Sequence, residues 1–341
     1  MKVLLTANHV PFIQGGAEHH VANLAGALQL AGHEVEVLRL PFRFSPDSAI
    51  DAAMDAARAL DMAKPNGITI DRVISLQFPG WGVSHPDHHV WIMHQHRAVY
   101  DLFNEQTALE SEYAMRRRIQ AFDNEAFSRS QRVYANSRRV AERLATHNGI
   151  SATPLYHPPP RADQFYCGEP LPYIFMPGRM ETLKRHMLLI EALARMHSKL
   201  YVLLAGTGGQ APAVRERVAE LGLTDRVSML GHVTEAEMLA CYARATAVCC
   251  TALDEDYGYV PLEAMCAGKP VLVCEDGGGL LEFVRHDENG WVEPADPDVI
   301  AARLDWIASH GARVQEMGLC GREQWMAHDI TWPDVVETLM Q

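Results

Sequence analysis

No stretch of this chain stays apolar over the roughly 20 residues that a bilayer-spanning helix needs, so no membrane span is expected. Basic residues are in deficit: 30 Lys and Arg stand against 43 Asp and Glu, a formal charge of −13. Neutralising a nucleic-acid backbone takes a Lys/Arg surface, which argues against a general nucleic-acid binder. The one basic run, Arg116-Arg117-Arg118, reads as a solvated helix face, with a membrane-surface contact as the alternative. The seven cysteines are odd in number and lack disulfide-framework spacing. Adjacent Cys249 and Cys250 lie in an apolar run and read as small, reduced core residues. The opening Met1-Lys2-Val3-Leu4-Leu5-Thr6-Ala7 is too short an apolar run for a signal peptide and suits a first buried strand. A cytoplasmic protein is the expectation. The chain also lacks G-x-G-x-x-G, which disfavours a plain nicotinamide oxidoreductase, and it has no short internal repeat.

What is present is alternation. With 341 residues, 48% hydrophobic and 21% charged, the chain is long enough for two domains with substantial cores. Residues 2–7 read as a strand and residues 17–30 as an amphipathic helix with Val21, Leu24, Ala25 and Leu28 on one face. Residues 35–38, 73–76, 90–93 and 133–135 continue the strands, while the polar, Ala/Asp-rich stretch 45–66 is the least readable part of this half. Pro158-Pro159-Pro160 is the strongest breaker. A second series of strands follows at 173–176, 200–205, 227–230, 247–251 and 270–274. Helices fall between them, such as 212–221, with Pro in its first turn and Gly222 just past its end. Alternation in both halves predicts an α/β protein of two doubly wound parallel sheets. The expected divisions are 1–165, 166–325 and a closing segment 326–341.

The run from Asp254 to Met265 is the most informative. Glu255 and Glu263 lie eight positions apart around Gly258 and Pro261, after an apolar strand and leading into a helix. Carboxylates on a strand-to-helix loop accept hydrogen bonds from hydroxyls, and free N–H groups at a helix start favour an anion. A sugar nucleotide carries hydroxyls on both sides of a diphosphate and fits both demands. With Gly258, Pro261 and Leu262-Glu263-Ala264-Met265 included, the run resembles the E-x7-E signature of the retaining family 4 glycosyltransferases, which have the GT-B fold. The resemblance implies that Glu255 faces the donor sugar and Glu263 the nucleotide ribose, with Gly258, Tyr259 and Val260 lining the donor between them.

Other segments extend the likeness. Gly178-Arg179-Met180-Glu181-Thr182-Leu183-Lys184-Arg185 follows the first strand of the second half. Two cations near a strand's carboxyl end can neutralise a leaving diphosphate without a metal. The segment resembles the family's Gly-Arg…Lys motif, and Arg179 and Lys184 match the diphosphate pair; Arg185 stands where many members have Gly. Gly15-Gly16, before the first helix, matches a Gly-Gly facing the donor diphosphate, with a plain βα turn as the alternative. Ala205-Gly206-Thr207-Gly208 resembles the family's Ala-Gly-x-Gly, Gly231-His232-Val233 the segment whose backbone holds the base, and Gly277-Gly278-Gly279 the loop packed near the donor.

His94-Gln95-His96-Arg97 ends the strand at 90–93 and allows three readings: a metal site with His85, Asp87, His88 and His89, a satisfied structural histidine, or a donor-side role for His94. The last follows from the resemblance, and His96 and Arg97 then meet the acceptor. No thiolate or carboxylate stands at metal-like spacing, so no metal and no cofactor beyond the co-substrate is expected.

The resemblance implies GT-B architecture: two Rossmann-like domains, an interdomain cleft, donor against the second and acceptor against the first. Residues 331–337 resemble the closing helix that crosses back to the first domain. The implied reaction moves a hexose-type sugar from a nucleoside-diphosphate sugar to a hydroxyl acceptor with retention. A silent sugar-nucleotide-binding protein, or another GT-B enzyme such as an epimerase or phosphorylase, is the alternative, and a weak peripheral contact with the inner membrane face stays open. The motifs do not encode the base, the sugar, the acceptor or the oligomeric state.

Overall fold

The structure is a computed structural model describing residues 1–12 and 15–341. The chain divides into two compact units, residues 1–160 with 330–341, and residues 161–329.

The first unit runs β1 (Lys2–His9), α1 (Gly16–Leu30), β2 (Glu34–Pro41), α2 (Asp47–Arg58), β3 (Arg72–Ser75), β4 (His88–Ile92), α3 (Glu110–Arg129), β5 (Arg132–Ala135), α4 (Arg138–Asn148) and β6 (Thr153–Pro154). Its strands pair in parallel in the order β2-β1-β3-β4-β5-β6. β3 and β4 are buried along their whole length, as expected of strands covered on both faces. α2 occupies this polar, least readable stretch; Ile50, Met54 and Ala57 are buried, and Ala53 packs against the same core. The arginine run lies on α3 with each side chain paired: Arg116 with Glu105, Arg117 with Glu110 and Arg118 with Asp51. It is a solvated, charge-compensated face.

The second unit runs β7 (Tyr173–Pro177), α5 (His186–Arg195), β8 (Tyr201–Ala205), α6 (Ala211–Glu220), β9 (Val227–Gly231), α7 (Glu235–Arg244), β10 (Ala247–Cys250), α8 (Tyr259–Cys266), β11 (Val271–Cys274), β12 (Gly290–Glu293), α9 (Pro297–Ser309) and α10 (Gly311–Ala327). Its parallel order is β12-β11-β10-β7-β8-β9. The winding therefore reverses between β7 and β10, a topological switch point. Cys249, Cys250 and Cys274 are free and buried in the strands, in keeping with reduced core residues. β12 went unread in the sequence; Trp291 anchors it in the core against Leu272, Ile300 and Leu304.

The last helix, α11 (Trp332–Met340), belongs to the first unit. Val335, Val336 and Leu339 pack with Val21, Leu24 and Leu28 of α1. The Arg72 guanidinium donates to the Leu339 carbonyl at 2.7 Å, and the His157 ring stacks on Trp332 at 5.5 Å. Among the described residues no helix is long and apolar enough to cross a membrane.

Candidate active site

In a doubly wound sheet the helices beside a switch point lie on opposite faces, which leaves a crevice outside the carboxyl ends of the strands. In the second unit that crevice opens at the ends of β7 and β10. The loop after β7 carries Gly178, Arg179 and Lys184, and the loop after β10 carries Glu255. The two loops join: Lys184 Nζ lies 2.7 Å from Glu255 Oε2, and the Leu253 amide donates to the Leu183 carbonyl at 2.8 Å. Burial alone would depress the Lys184 pKa, but the charge of Glu255, helped by Cys250 and Asp256, outweighs it and raises the pKa overall. Lys184 therefore stays charged at neutral pH. Arg179, one turn away on an exposed position, has no ion-pair partner among the described residues.

Arg185, noted in the sequence only as a departure from Gly, holds this arrangement from behind. Its φ of 52° is left-handed, where Gly is the comfortable residue. The guanidinium compensates: it donates to the Thr251 carbonyl at 2.5 Å and to both Asp276 oxygens at 2.6 and 2.8 Å. Such a fork is particular to arginine. The hydrogen bond from Arg185 keeps the Asp276 carboxyl below the usual range. The Thr251 hydroxyl completes the clamp on the carbonyls of Lys184 and Arg185 at 3.1 and 3.0 Å.

The glycines have assignable tasks. Gly278, at φ 63°, lies against the loop carrying Glu255, and a Cβ there would come within 2.6 Å of Asp254 Oδ1 and 2.8 Å of the Glu255 carbonyl. The Glu255 amide donates to Gly277 O, and the Gly279 amide returns a bond to Glu255 O at 2.7 Å. The triplet thus lets two backbones touch and fixes where Glu255 points. Gly206, at φ 139°, does the same between β7 and β8: a Cβ would stand 2.1 Å from the Gly178 carbonyl. Its amide donates to Gly231 O at 2.8 Å, drawing in the end of β9 and the half-buried Val233 beyond it.

α8 starts after Gly258, and its N-terminal end, where Tyr259 and Val260 lie, is the end of a helix that favours an anion. Glu263 follows one turn later. The phenol of Tyr242, on α7, donates to Glu263 Oε2 at 2.5 Å. Burial pushes the Glu263 carboxyl up to about 7, against the downward pulls of the Tyr242 hydrogen bond and the Arg161 charge. Nothing in the local sequence marks Tyr242, 21 residues away.

The remaining candidates belong to the first unit. The Gly15 amide donates to Glu18 Oε2 at 2.9 Å, and Gly16 opens α1. His94 follows β4, half-buried, with Nδ1 2.8 Å from the Gln95 carbonyl. His96 sits edge-on to Phe42 and Phe78; burial depresses its pKa, and its ring nitrogens have no hydrogen-bond partner among the described residues. Arg97 donates to Asp101 at 2.7 Å. The other histidines are engaged within the fold: His85 bonds the backbone of Asp87, His88 the Ser75 hydroxyl at 2.7 Å, and His89 faces Asp87 at 3.4 Å. Burial takes His88 down to about 3 and His89 to about 4. Among the described residues no group of three or more His, Cys, Asp or Glu is arranged to hold a metal.

Residues 167–324, which include β7 through most of α10, match the family described as Glycosyl transferases group 1. The second unit is a group 1 glycosyltransferase domain. Over 141 residues the chain is 36% identical to the uncharacterized glycosyltransferase MJ1607 of Methanocaldococcus jannaschii, covering 40% of this chain and 35% of that protein. The chain spans only 35–40% of the length of this and several other curated relatives. Among solved structures, sucrose-phosphate synthase (tll1590) from Thermosynechococcus elongatus superposes with a TM-score of 0.79 at 20% identity, covering 100% of this chain and 97% of that one. Anabaena Alr3699/HepE, in complex with UDP and glucose, gives 0.74 at 16% identity, covering 100% and 98%. These likenesses extend the shared GT-B fold from the group 1 domain to the whole chain.

Proposed function

We propose that the protein is a cytoplasmic, retaining glycosyltransferase of family 4. It moves a hexose-type sugar from a nucleoside-diphosphate sugar to a hydroxyl acceptor, with no metal required. The observation that carries this reading is the Lys184–Glu255 pair, 2.7 Å apart at the β7/β10 switch point. Breaking a glycosidic bond to a diphosphate builds negative charge on phosphate and positive charge on the sugar ring. A cation and a carboxylate held together supply both countercharges in a preorganised form.

In this reading Arg179 and Lys184 take the diphosphate, joined by the first-turn amides of Gly258, Tyr259 and Val260. The loops at Gly178, Gly206 and Val233 border the nucleotide, and Glu263 accepts from the ribose hydroxyls. Glu255 orients the sugar hydroxyls and favours an oxocarbenium-like transition state. No second carboxylate is assigned as nucleophile, which suits a front-face reaction in which the leaving diphosphate takes the acceptor's proton. Gly15 and Gly16 are assigned to the diphosphate, His94 to the transferred sugar, and His96 and Arg97 to the acceptor. The UDP in the HepE structure makes UDP-sugars the first donors to try.

The test is nucleoside-diphosphate release from UDP-, GDP-, ADP- and dTDP-sugars, in chelator and without acceptor. Slow release from one donor, lost in Glu255→Ala, supports the reading. Donor binding without turnover, even after acceptors are supplied, favours a silent binding protein. Turnover that appears only when a divalent metal is restored overturns the metal-free diphosphate clamp.

A further inference from the structure

The second unit holds a cavity of 240 Å³ at the opposite edge of its sheet from the carboxyl ends of the strands. Thr246 and Pro270, which directly precede β10 and β11, line it together with Cys167 and Gly168 of the approach to β7 and Gly268 and Lys269 of the turn after α8. Here two segments exchange side chains. Cys167 Sγ reaches to 4.0 Å from the Gly268 carbonyl, and Lys269 Nζ donates to the Gly168 carbonyl at 2.8 Å. Gly268 is what admits the thiol, since a Cβ there would lie 3.1 Å from Cys167 Sγ.

The two side chains differ in exposure. Cys167 is open to solvent, whereas Lys269 is 4% exposed, and no carboxylate pairs with its ammonium among the described residues. Burial depresses the Lys269 pKa, with the Cys167 thiolate the counteracting influence. The neutral amine is the nucleophilic form, and burial favours it.

We propose that Cys167 and Lys269 form a peroxide-responsive pair that closes a reversible sulfenamide crosslink. The exposed thiolate attacks a peroxide oxygen: the S–O bond forms, the O–O bond breaks, and water leaves after protonation, giving a sulfenic acid. The Lys269 nitrogen then attacks that sulfur. The N–S bond forms, the S–O bond breaks, and the hydroxyl departs as water with an amine proton. In sum the protein loses two hydrogens and one hydrogen peroxide becomes two waters. A dithiol reductant reverses it: one thiol attacks the sulfur and releases the amine, and the second breaks the resulting mixed disulfide to free Cys167. Among the other cysteines, Cys249, Cys250, Cys266 and Cys274 are buried, and burial pushes their thiols up, away from the reactive thiolate. The crosslink would tie the approach to β7 to the turn that ends α8, the helix bearing Glu263.

The experiment treats the intact chain with hydrogen peroxide and follows whole-protein mass and tryptic peptides. The expected result is a loss of two hydrogens, a tryptic peptide containing Cys167 joined to the one containing Lys269 with fragment ions that place the bond at those two residues, and recovery of the separate peptides with a dithiol reductant. Cys167→Ser should abolish the change, and Lys269→Gln should leave a sulfenic acid that dimedone traps. The native protein should trap little dimedone, a comparison that stands even if Lys269→Gln folds poorly. Dimedone trapping of Cys167 in the native protein with no crosslinked peptide overturns the proposal. So does loss of the two hydrogens through a disulfide, or no reaction at Cys167.

Discussion

The phenol of Tyr242 and Oε2 of Glu263 are 2.5 Å apart, and they come from two different helices, α7 and α8. The contact holds a carboxyl that burial has pushed up from 4.5 to about 7. A raised folded-state pKa means that the protonated acid is the form the fold prefers. Its contribution to stability is complete below about pH 4.5 and is lost as the pH climbs through about 7. Donor binding should show the opposite trend, because accepting from ribose hydroxyls calls for the carboxylate. Nucleoside-diphosphate affinity, measured by calorimetry, should therefore rise several-fold from about pH 6 to about pH 8, and Glu263→Gln should flatten the rise. An unchanged slope in that variant would place the titration elsewhere.

The Lys184–Glu255 pair separates stability from chemistry. Lys184→Met alone leaves a partly buried carboxylate without its cation, a loss of about 1–3 kcal/mol in unfolding free energy. Glu255→Gln alone strands the ammonium in the same way. Combining them should recover much of that stability, whereas turnover should stay at least ~100-fold down in all three variants. Denaturant midpoints and initial rates on one preparation check both halves. A fully active double variant would contradict the roles assigned to the pair.

Arg185 combines an unfavourable backbone with favourable side-chain bonds. Arg185→Lys keeps the charge but loses the fork to Asp276 and the bond to Thr251 O, and should cost about 1–3 kcal/mol. Arg185→Gly should be milder than Arg185→Ala by about 1 kcal/mol, since Gly relieves the left-handed φ of 52°. Urea midpoints for the three variants give the order. If Ala were the milder change, the backbone reading at 185 would be wrong.

Gly206 and Gly178 provide a matched test of close approach against backbone strain. Both have positive φ, 139° and 120°, but a Cβ at Gly206 strikes the Gly178 carbonyl at 2.1 Å, while one at Gly178 meets open space. Gly178→Ala should cost only the strain, about 1–3 kcal/mol. Gly206→Ala should cost more and weaken nucleotide affinity, because β7 and β8 must part. Thermal melts with and without nucleoside diphosphate compare the two.

Much of the fold could be read from local pattern. β7, β10 and β11 are buried along their length and so appear as apolar runs. α2 was hard to read because its contact with the core rests on Ile50, Ala53, Met54 and Ala57, two of them alanines in a polar stretch. β12 escaped notice because a four-residue strand that begins with Gly290 and ends with Glu293 carries too little periodicity to register. In the site, the spacing of Glu255 and Glu263 and the cations at 179 and 184 stood out as motifs. Tyr242 did not: as a fully buried residue on α7 it looks like any core aromatic.

The sequence by itself determined the inventory: which loops carry carboxylates, cations and glycines, and that they follow strands. That information is local, because helix and strand periods and turn chemistry act over a few residues. Tertiary structure decided the pairing and the protonation. Lys184 meets Glu255 across 71 residues and Arg185 meets Asp276 across 91. A carboxyl's pKa depends on burial and on the nearest donors, so Glu263 acquires its raised value only when packing buries it, with the Tyr242 phenol from α7 pulling against that rise. Distance and burial belong to the folded chain, and no spacing along the sequence encodes either.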